Sequence, residues 1–152
     1  MGQHHPYYAN LHALVIGVDT YRDVRFQPLG EAENDARLMQ AALQARGFQV
    51  IPLLGKKASH SQIASSLGQL AKCTRPNDLV LVYYSGHGAP LGRAACIVPY
   101  NADQDQLLSV ITLDHLVASC RAAEARDARS SVVAGYSARL MCVMESPSAG
   151  AP

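Results

Sequence analysis

Two continuous apolar segments constrain the fold of this chain most strongly. One is LHALVIGV at residues 11–18, and the other is LVLVYY at residues 79–84. Apolar runs of this length, without alternating polar positions, are typical of strands that are buried on both faces of a parallel sheet. Such a sheet needs helices on both faces. The sequence therefore predicts an α/β fold with a mostly parallel central sheet.

The segments between these strands show helical spacing. Apolar residues recur every three or four positions over residues 31–46, and Gly47 ends the pattern, which predicts a first helix. Ser59 and Gln62 form a capping box at the start of a second helix, and Thr112 caps a third. Further strands are predicted at residues 48–54, 94–99 and 130–134. In a parallel sheet the functional groups gather beyond the carboxyl ends of the strands.

Length and charge limit the classes of function. The chain has 152 residues, the size of one domain, and a formal net charge of +1. That charge offers no field for a phosphate backbone or an anionic membrane, and no apolar run is long enough to cross a bilayer. We expect no nucleic-acid or membrane partner and, without a secretory signal pattern, a cytoplasmic location. The expected organisation is an N-terminal extension at residues 1–10, one domain at residues 11–144 and a flexible tail at residues 145–152.

The cysteines do not form a familiar metal motif. The four cysteines are Cys73, Cys96, Cys120 and Cys142. They stand more than twenty residues apart and form no CxxC pair, which excludes the usual zinc and thioredoxin spacings. We expect free thiols in a reducing compartment, and no metal or cofactor. No GxGxxG or phosphate loop follows the first strand, so a nucleotide-binding domain is disfavoured.

His87 is the first candidate for chemistry, because Gly86 and Gly88 flank it directly after a buried strand. A histidine on such a loop is presented to solvent by a backbone that is free to adopt unusual torsions. It is placed as a general base would be. The alternative is that Gly-His-Gly forms only a tight turn.

The segment DLVLVYYSGHG at residues 78–88 resembles the strand and histidine loop of caspase-like cysteine peptidases, the group of caspases, paracaspases and metacaspases. Other blocks resemble this family in the same order: ALVIGVDTY at 13–21, PLGEAENDA at 28–36, GFQV at 47–50 and IVPYNAD at 97–103. The NDA at 34–36 is closer to bacterial and metacaspase-type members. The resemblance implies a caspase-like three-layer fold, with helices flanking the central sheet, and a peptide or protein substrate.

The resemblance also implies roles for individual residues. His87 would activate a cysteine, and the backbone N–H of Gly88 would donate to the oxyanion. Arg22 and Arg25, in the loop after the first strand, would favour an acidic substrate residue as in caspases. Metacaspase-like enzymes cut after Arg or Lys instead, so the preference stays open.

Two aspartates raise the question of calcium. Asp103 and Asp105 are two residues apart and could contribute to a calcium site of the kind that some metacaspases use. No glutamate stands at calcium-loop spacing, so the expectation of no metal is kept.

The chain departs from the family at the nucleophile. The family places its cysteine in a motif Asp-x-Cys-x-Ser-Gly, about fifty residues after the histidine. Aligning Tyr136 and Ser137 with the last part of this motif puts Val133 at the aspartate and Gly135 at the cysteine. Gly135 would then lie at the C-terminal end of the strand next to the one that carries His87. Glycine has no nucleophile, so the chain as written would be inactive. Cys142 is the alternative nucleophile through a shift of register.

Family members usually continue into a smaller C-terminal half that completes the cleft, and we expect this half to be missing here. An open sheet edge would then invite a partner strand or a second copy of the chain. Two functions follow. One is a cysteine endopeptidase with a Cys-His mechanism, inactive if Gly135 replaces the cysteine. The other is a non-catalytic pseudopeptidase or truncated module that binds and regulates a partner.

Overall fold

A computed structural model describes residues 8–75, 77–106, 109–121, 129–134 and 139–145. The strands are β1 (Leu11–Gly17), β2 (Gln49–Leu54), β3 (Leu79–Ser85), β4 (Gly88–Leu91), β5 (Ala94–Ile97), β6 (Ile111–Thr112), β7 (Arg129–Ala134) and β8 (Arg139–Glu145). The helices are α1 (Ala32–Ala45), α2 (His60–Cys73) and α3 (Leu113–Arg121), with a short 3-10 turn at Gly55–Lys57. Most of the expected N-terminal extension and nearly all of the expected tail lie outside the described residues.

The main sheet has five strands in the order β2-β1-β3-β8-β7. β1 runs parallel to both β2 and β3, whereas β8 runs antiparallel to β3 and to β7. A second sheet has the antiparallel order β4-β5-β6. The predicted α/β class is confirmed, with β3 as the middle strand of the main sheet.

β1 is buried on both faces, because helices pack against each side of it. Ala13 and Val15 share one apolar cluster with α1, while Leu14 and Ile16 share the other with α2 and α3. The helical members of these clusters are Ala36, Leu43, Ile63, Leu67, Leu70 and Leu116. Each fully buried aliphatic side chain contributes about 1.5–3 kcal/mol to folding. The result is a three-layer arrangement, and loops follow its parallel strands at their carboxyl ends.

The predicted N-caps at Ser59 and Thr112 are confirmed. The Ser59 side chain accepts a hydrogen bond from the Gln62 N–H at the start of α2. The Thr112 hydroxyl does the same for the His115 N–H at the start of α3. Gly47, with a φ of 88°, follows α1 and adopts the left-handed conformation expected of a helix end.

Two strands differ in their partners from the sequence prediction. The strand predicted at residues 94–99 is β5, and it pairs with β4 in a hairpin rather than joining the parallel sheet. Only Gly92 and Arg93 separate these strands, and a two-residue connection allows antiparallel pairing alone. The strand before Gly135, β7, was expected beside β3, but β8 lies between them. A short connection between β7 and β8 likewise makes them antiparallel neighbours.

Among the described residues, no helix combines the length and apolar character that a membrane span requires.

Gly17 allows α1 to pack directly on the end of β1. A Cβ at this position would lie 2.6 Å from the Ala36 Cβ and 2.9 Å from the Ala32 carbonyl oxygen. We predict that Gly17→Ala lowers the free energy of unfolding by about 1–3 kcal/mol, because the helix must shift. Urea denaturation measures this change.

Gly68→Ala is the matched control, since Gly68 is exposed on α2 and a Cβ there meets nothing within 4 Å. This variant should gain about 0.5–1 kcal/mol from helix propensity. Equal stabilities for the two variants would contradict the close helix contact.

Candidate active site

The candidate site lies where β3 ends, at the carboxyl edge of the parallel strands. Ser85 is the last residue of β3, and its carbonyl accepts a hydrogen bond of 3.0 Å from the Val18 N–H, just beyond β1. Gly86 is buried, and His87 is half-buried. The sequence prediction that the histidine follows the carboxyl end of a central parallel strand is confirmed.

Gly86 is required because two tyrosine hydroxyls pack against its backbone. A Cβ on Gly86 would lie 2.7 Å from the Tyr21 Oη and 2.8 Å from the Tyr84 Cζ. Real Cβ atoms do not approach other atoms this closely, so any side chain here would displace a tyrosine.

The same two tyrosines hold the backbone of His87. The His87 N–H donates to the Tyr21 Oη at 2.7 Å. The Tyr84 Oη lies 2.7 Å from the His87 carbonyl oxygen and 2.9 Å from that of Val98. Because carbonyl oxygens only accept, the single Tyr84 proton points to them, and the Tyr21 hydroxyl can donate to the Tyr84 Oη at 3.2 Å.

Burial keeps both hydroxyls protonated. Loss of solvation raises the pKa of Tyr21 and, more strongly, that of Tyr84. The Tyr84 pKa rises further because the neighbouring Tyr21 disfavours a second negative charge. Two neutral hydroxyls can therefore serve as fixed donors and acceptors around His87.

The imidazole of His87 is oriented by a backbone carbonyl. Its Nε2 lies 2.6 Å from the Gln27 carbonyl oxygen, in the loop between β1 and α1. Since that oxygen can only accept, Nε2 must hold the proton, and Nδ1 of the neutral ring keeps its lone pair. The rings of Tyr21 and Phe26 flank the imidazole, with centroids 5.1 Å and 6.1 Å away. His87 is thus poised to accept a proton at Nδ1.

The backbone N–H of Gly88 points away from the neighbouring strand. The Val98 N–H donates to the His87 carbonyl at 3.1 Å, in the register of a hydrogen-bonded pair, although the His87 N–H itself donates to Tyr21. Bonded and non-bonded pairs alternate along an antiparallel ladder, so Gly88, opposite Ile97, directs its N–H outward. Pro90 occupies the equivalent outward position two residues later, where its lack of an N–H costs nothing. An exposed donor therefore lies directly beside His87.

Gly135, the predicted nucleophile position, lies outside the described residues. The strand before it ends at Ala134, which pairs with Leu140, and Leu140 pairs with Tyr84 near the end of β3. The ends of β7 and β3 therefore reach the same edge of the sheet. They are two strand spacings apart, or about 10 Å.

The cysteine positions are spread over the fold. Cys142 pairs with Val82 in the middle of β8, inside the sheet rather than at its edge. Cys96 is buried in β5, and burial raises the pKa of its thiol. Cys73 is exposed at the end of α2, and Cys120 falls within α3.

Arg25, one of the two predicted substrate-binding arginines, binds three carboxylates of this chain. It contacts Asp23 through Nε and Nη2, at 2.9 Å and 2.7 Å. It also contacts Asp103 through Nη2 and Asp105 through Nη1, both at 3.0 Å. These four residues are called the Arg25 cluster below. Hydrogen bonding to the guanidinium holds the Asp23 pKa far below its usual range and raises the Arg25 pKa further.

Arg22, the other predicted substrate-binding residue, also contacts the chain itself. Its N–H donates to the Tyr100 carbonyl at 2.9 Å, and its Nη2 donates to the Asn101 carbonyl at 3.2 Å. Asp103 and Asp105, the calcium candidates, are members of the Arg25 cluster. Within the described ranges, no group of three or more His, Cys, Asp or Glu side chains is arranged to hold a metal ion.

Tyr21 and Tyr84 were missed by the sequence analysis, as was the Gln27 carbonyl. The tyrosines close the blocks VDTY and LVYY that flank the two strand ends, so their positions were visible, but their hydroxyl contacts were not. A backbone carbonyl has no sequence signal at all.

We predict that Tyr21→Phe lowers the free energy of unfolding by about 1–3 kcal/mol, because the His87 N–H loses its acceptor. Denaturation measures the stability, and amide exchange at His87 should accelerate. Tyr100→Phe is the control, since the bonds of Tyr100 to Arg22 and Ala58 come from its backbone. Unchanged exchange in Tyr21→Phe would contradict the hydrogen bond.

The raised tyrosine pKa values predict a loss of stability in base. Tyrosines of the unfolded chain ionise near pH 10, whereas Tyr21 and Tyr84 in the fold still hold their protons. Their contribution is complete below that pH and is lost as the pH rises toward the folded values, by up to about 1.36 kcal/mol per pH unit for each group. Tyr21→Phe should show a shallower decline than Tyr100→Phe in denaturation above pH 10. Equal slopes would be the opposing result.

Known proteins resemble this chain in sequence and in fold. A family model for the caspase domain of peptidase C14 matches residues 10–125, which include His87 and Gly88. The crystal structure of protein GSU0716 from Geobacter sulfurreducens is similar, with 25% identity and a TM-score of 0.61, over 72% of this chain and 44% of that one. The chain thus spans less than half the length of that protein. A search of curated proteins found no match to this chain. The family match covers most of the chain, and the chain therefore belongs to the caspase-domain family.

Proposed function

We propose that this chain is the histidine-bearing part of a caspase-like cysteine endopeptidase domain that acts on peptide or protein substrates. The observation that supports this most is the hydrogen bond from His87 Nε2 to the Gln27 carbonyl oxygen. It assigns the proton to Nε2 and the lone pair to Nδ1, which is the state that a general base needs. We infer a cytoplasmic location, where free thiols would persist.

In the proposed reaction, Nδ1 of His87 takes the proton of a cysteine thiol, and the thiolate attacks the substrate carbonyl carbon. The carbonyl oxygen becomes an oxyanion and accepts a hydrogen bond from the Gly88 N–H. When the C–N bond breaks, the imidazolium gives its proton to the leaving amine and an acyl-enzyme remains. His87 then takes a proton from water, which hydrolyses the thioester and restores the thiol. The Gln27 carbonyl stabilises the imidazolium in both halves.

We also propose that Gly135 occupies the nucleophile position. The chain as it stands would then be inactive, because glycine has no nucleophile. The alignment of Tyr136 and Ser137 supports this assignment, and the strand before Gly135 ends at the correct edge of the sheet. Cys142 is the alternative nucleophile. Its backbone lies opposite Val82, three residues inside the end of β3, which argues against it.

A non-catalytic binding or regulatory module is the second candidate, and the glycine at the nucleophile position favours it. Such a module would dock through the site around His87 or through a sheet edge. β2 and β7 are the edge strands of the described main sheet. Pro52 removes a donor from β2, so a partner strand or second copy would pair better with β7.

We predict that the unmodified chain cleaves fluorogenic peptides ending in Arg, Lys or Asp no faster than His87→Ala, with or without calcium. The missing thiol removes the covalent route. Gly135→Cys alone should recover little activity, because Val133 still occupies the aspartate position and the expected cleft lacks its C-terminal half. The substrate would then be held loosely, and even a 1 Å misplacement costs roughly a hundredfold.

The contrary result would be robust turnover by the unmodified chain that disappears in His87→Ala and after alkylation of thiols. Its loss in Cys142→Ala, but not in Cys96→Ala, would then identify Cys142 as the nucleophile. High activity of Gly135→Cys would show that the cleft is complete and that only the thiol is missing.

A further inference from the structure

We propose that Arg25 is a positioning residue for His87 and that the Arg25 cluster fixes the loop that supplies the Gln27 carbonyl. This inference rests on the proposed role of His87 as the general base. It assigns Arg25 to the orientation of the imidazole rather than to the binding of an acidic substrate residue.

The cluster connects two loops at the carboxyl edge of the sheet. Asp23 and Arg25 belong to the loop between β1 and α1, whereas Asp103 and Asp105 follow β5. The guanidinium bonds to Asp103 and Asp105 connect the first loop to the second. In the other direction, the Gln104 N–H donates to the Asp23 Oδ2 at 3.0 Å. Planar guanidinium geometry suits such multiple carboxylate contacts, because its donors diverge in fixed directions.

The loop after β5 is held by its own hydrogen bonds, so the carboxylates that bind Arg25 have fixed positions. The Ser109 hydroxyl accepts from the Asp103 N–H at 3.0 Å and also lies 2.6 Å from the Gln106 carbonyl. The Asp103 carboxylate accepts from the Asp105 N–H at 2.9 Å. Arg25 therefore binds carboxylates whose own backbone is held.

The anchored segment leads directly to the imidazole. The Phe26 N–H closes a turn on the Asp23 carbonyl at 3.1 Å, and the Asp23 side chain accepts from the Arg25 N–H at 3.0 Å. Phe26 packs its ring against His87, and Gln27 presents its carbonyl to Nε2. Only Phe26 thus lies between Arg25 of the cluster and Gln27, whose carbonyl sets the tautomer.

Charge argues against a substrate role for Arg25. Its guanidinium faces three carboxylates, so its attraction for an incoming acidic side chain is already offset. An acidic substrate would also have to displace Asp23, whose side chain is only 11% exposed and receives two backbone N–H bonds.

Solution NMR of the His87 side chain tests this inference without any need for activity. In the unmodified chain, ¹H–¹⁵N spectra should show the Nε2–H tautomer and an Nε2–H proton protected from exchange with water. Arg25→Ala should lose that protected signal while the overall spectrum stays folded. A second variant, Asp103→Ala with Asp105→Ala, removes the other half of the cluster and should lose the signal too.

Arg37→Ala is the matched control, because Arg37 pairs with Glu33 on the surface of α1 at 3.6 Å and lies outside the cluster. Its His87 signal should match that of the unmodified chain. A protected Nε2–H that survives in both cluster variants overturns the positioning role and leaves the proposed function intact. An Nδ1–H tautomer in the unmodified chain overturns the proposed general base, and the positioning role with it.

Discussion

The contact between the Tyr21 and Tyr84 hydroxyls joins the two parts of the molecule that make up the candidate site. Tyr84 belongs to β3, the middle strand, whereas Tyr21 belongs to the loop after β1. Both hydroxyls are buried and protonated, and together they hold the N–H and the carbonyl of His87. A buried donor or acceptor without a partner costs about 1–3 kcal/mol, so this arrangement is strongly specified. This contact explains why residue 86 is a glycine, since any Cβ there would collide with both hydroxyls.

Three segments meet around this contact, and polar bonds connect them in addition to apolar packing. The loop after β1 contacts the loop after β5 through Arg22 and the Arg25 cluster. The start of α2 joins them, because the His60 N–H donates to the Asn101 side chain at 2.8 Å. Directional bonds of this kind fix atoms more narrowly than apolar contacts do. The imidazole is therefore oriented by a frame whose members lie far apart in sequence.

The sequence predicts the part of this architecture that depends on local pattern. The buried runs at residues 11–18 and 79–84, the cap at Ser59 and the position of His87 just beyond a buried strand all follow from apolar spacing, capping chemistry and flanking glycines. The Gln27 carbonyl could not be found this way, because every residue has one and only the fold selects it. The role of Arg25 was equally hidden, since its carboxylate partners Asp103 and Asp105 lie about eighty positions away. The placement of β8 between β3 and β7 depends on which strands pair, which apolar spacing does not specify.

We propose that His87 is oriented as a general base beside an exposed oxyanion donor, while the thiol that it would activate is absent. A crystal structure of the unmodified chain tests this most directly, through the distance from His87 Nδ1 to the nearest sulfur. We expect Nε2 to contact the Gln27 carbonyl and no sulfur to lie within about 4 Å of Nδ1, the range of a hydrogen bond in a resting site. A Cys142 Sγ at hydrogen-bonding distance from Nδ1 would contradict it.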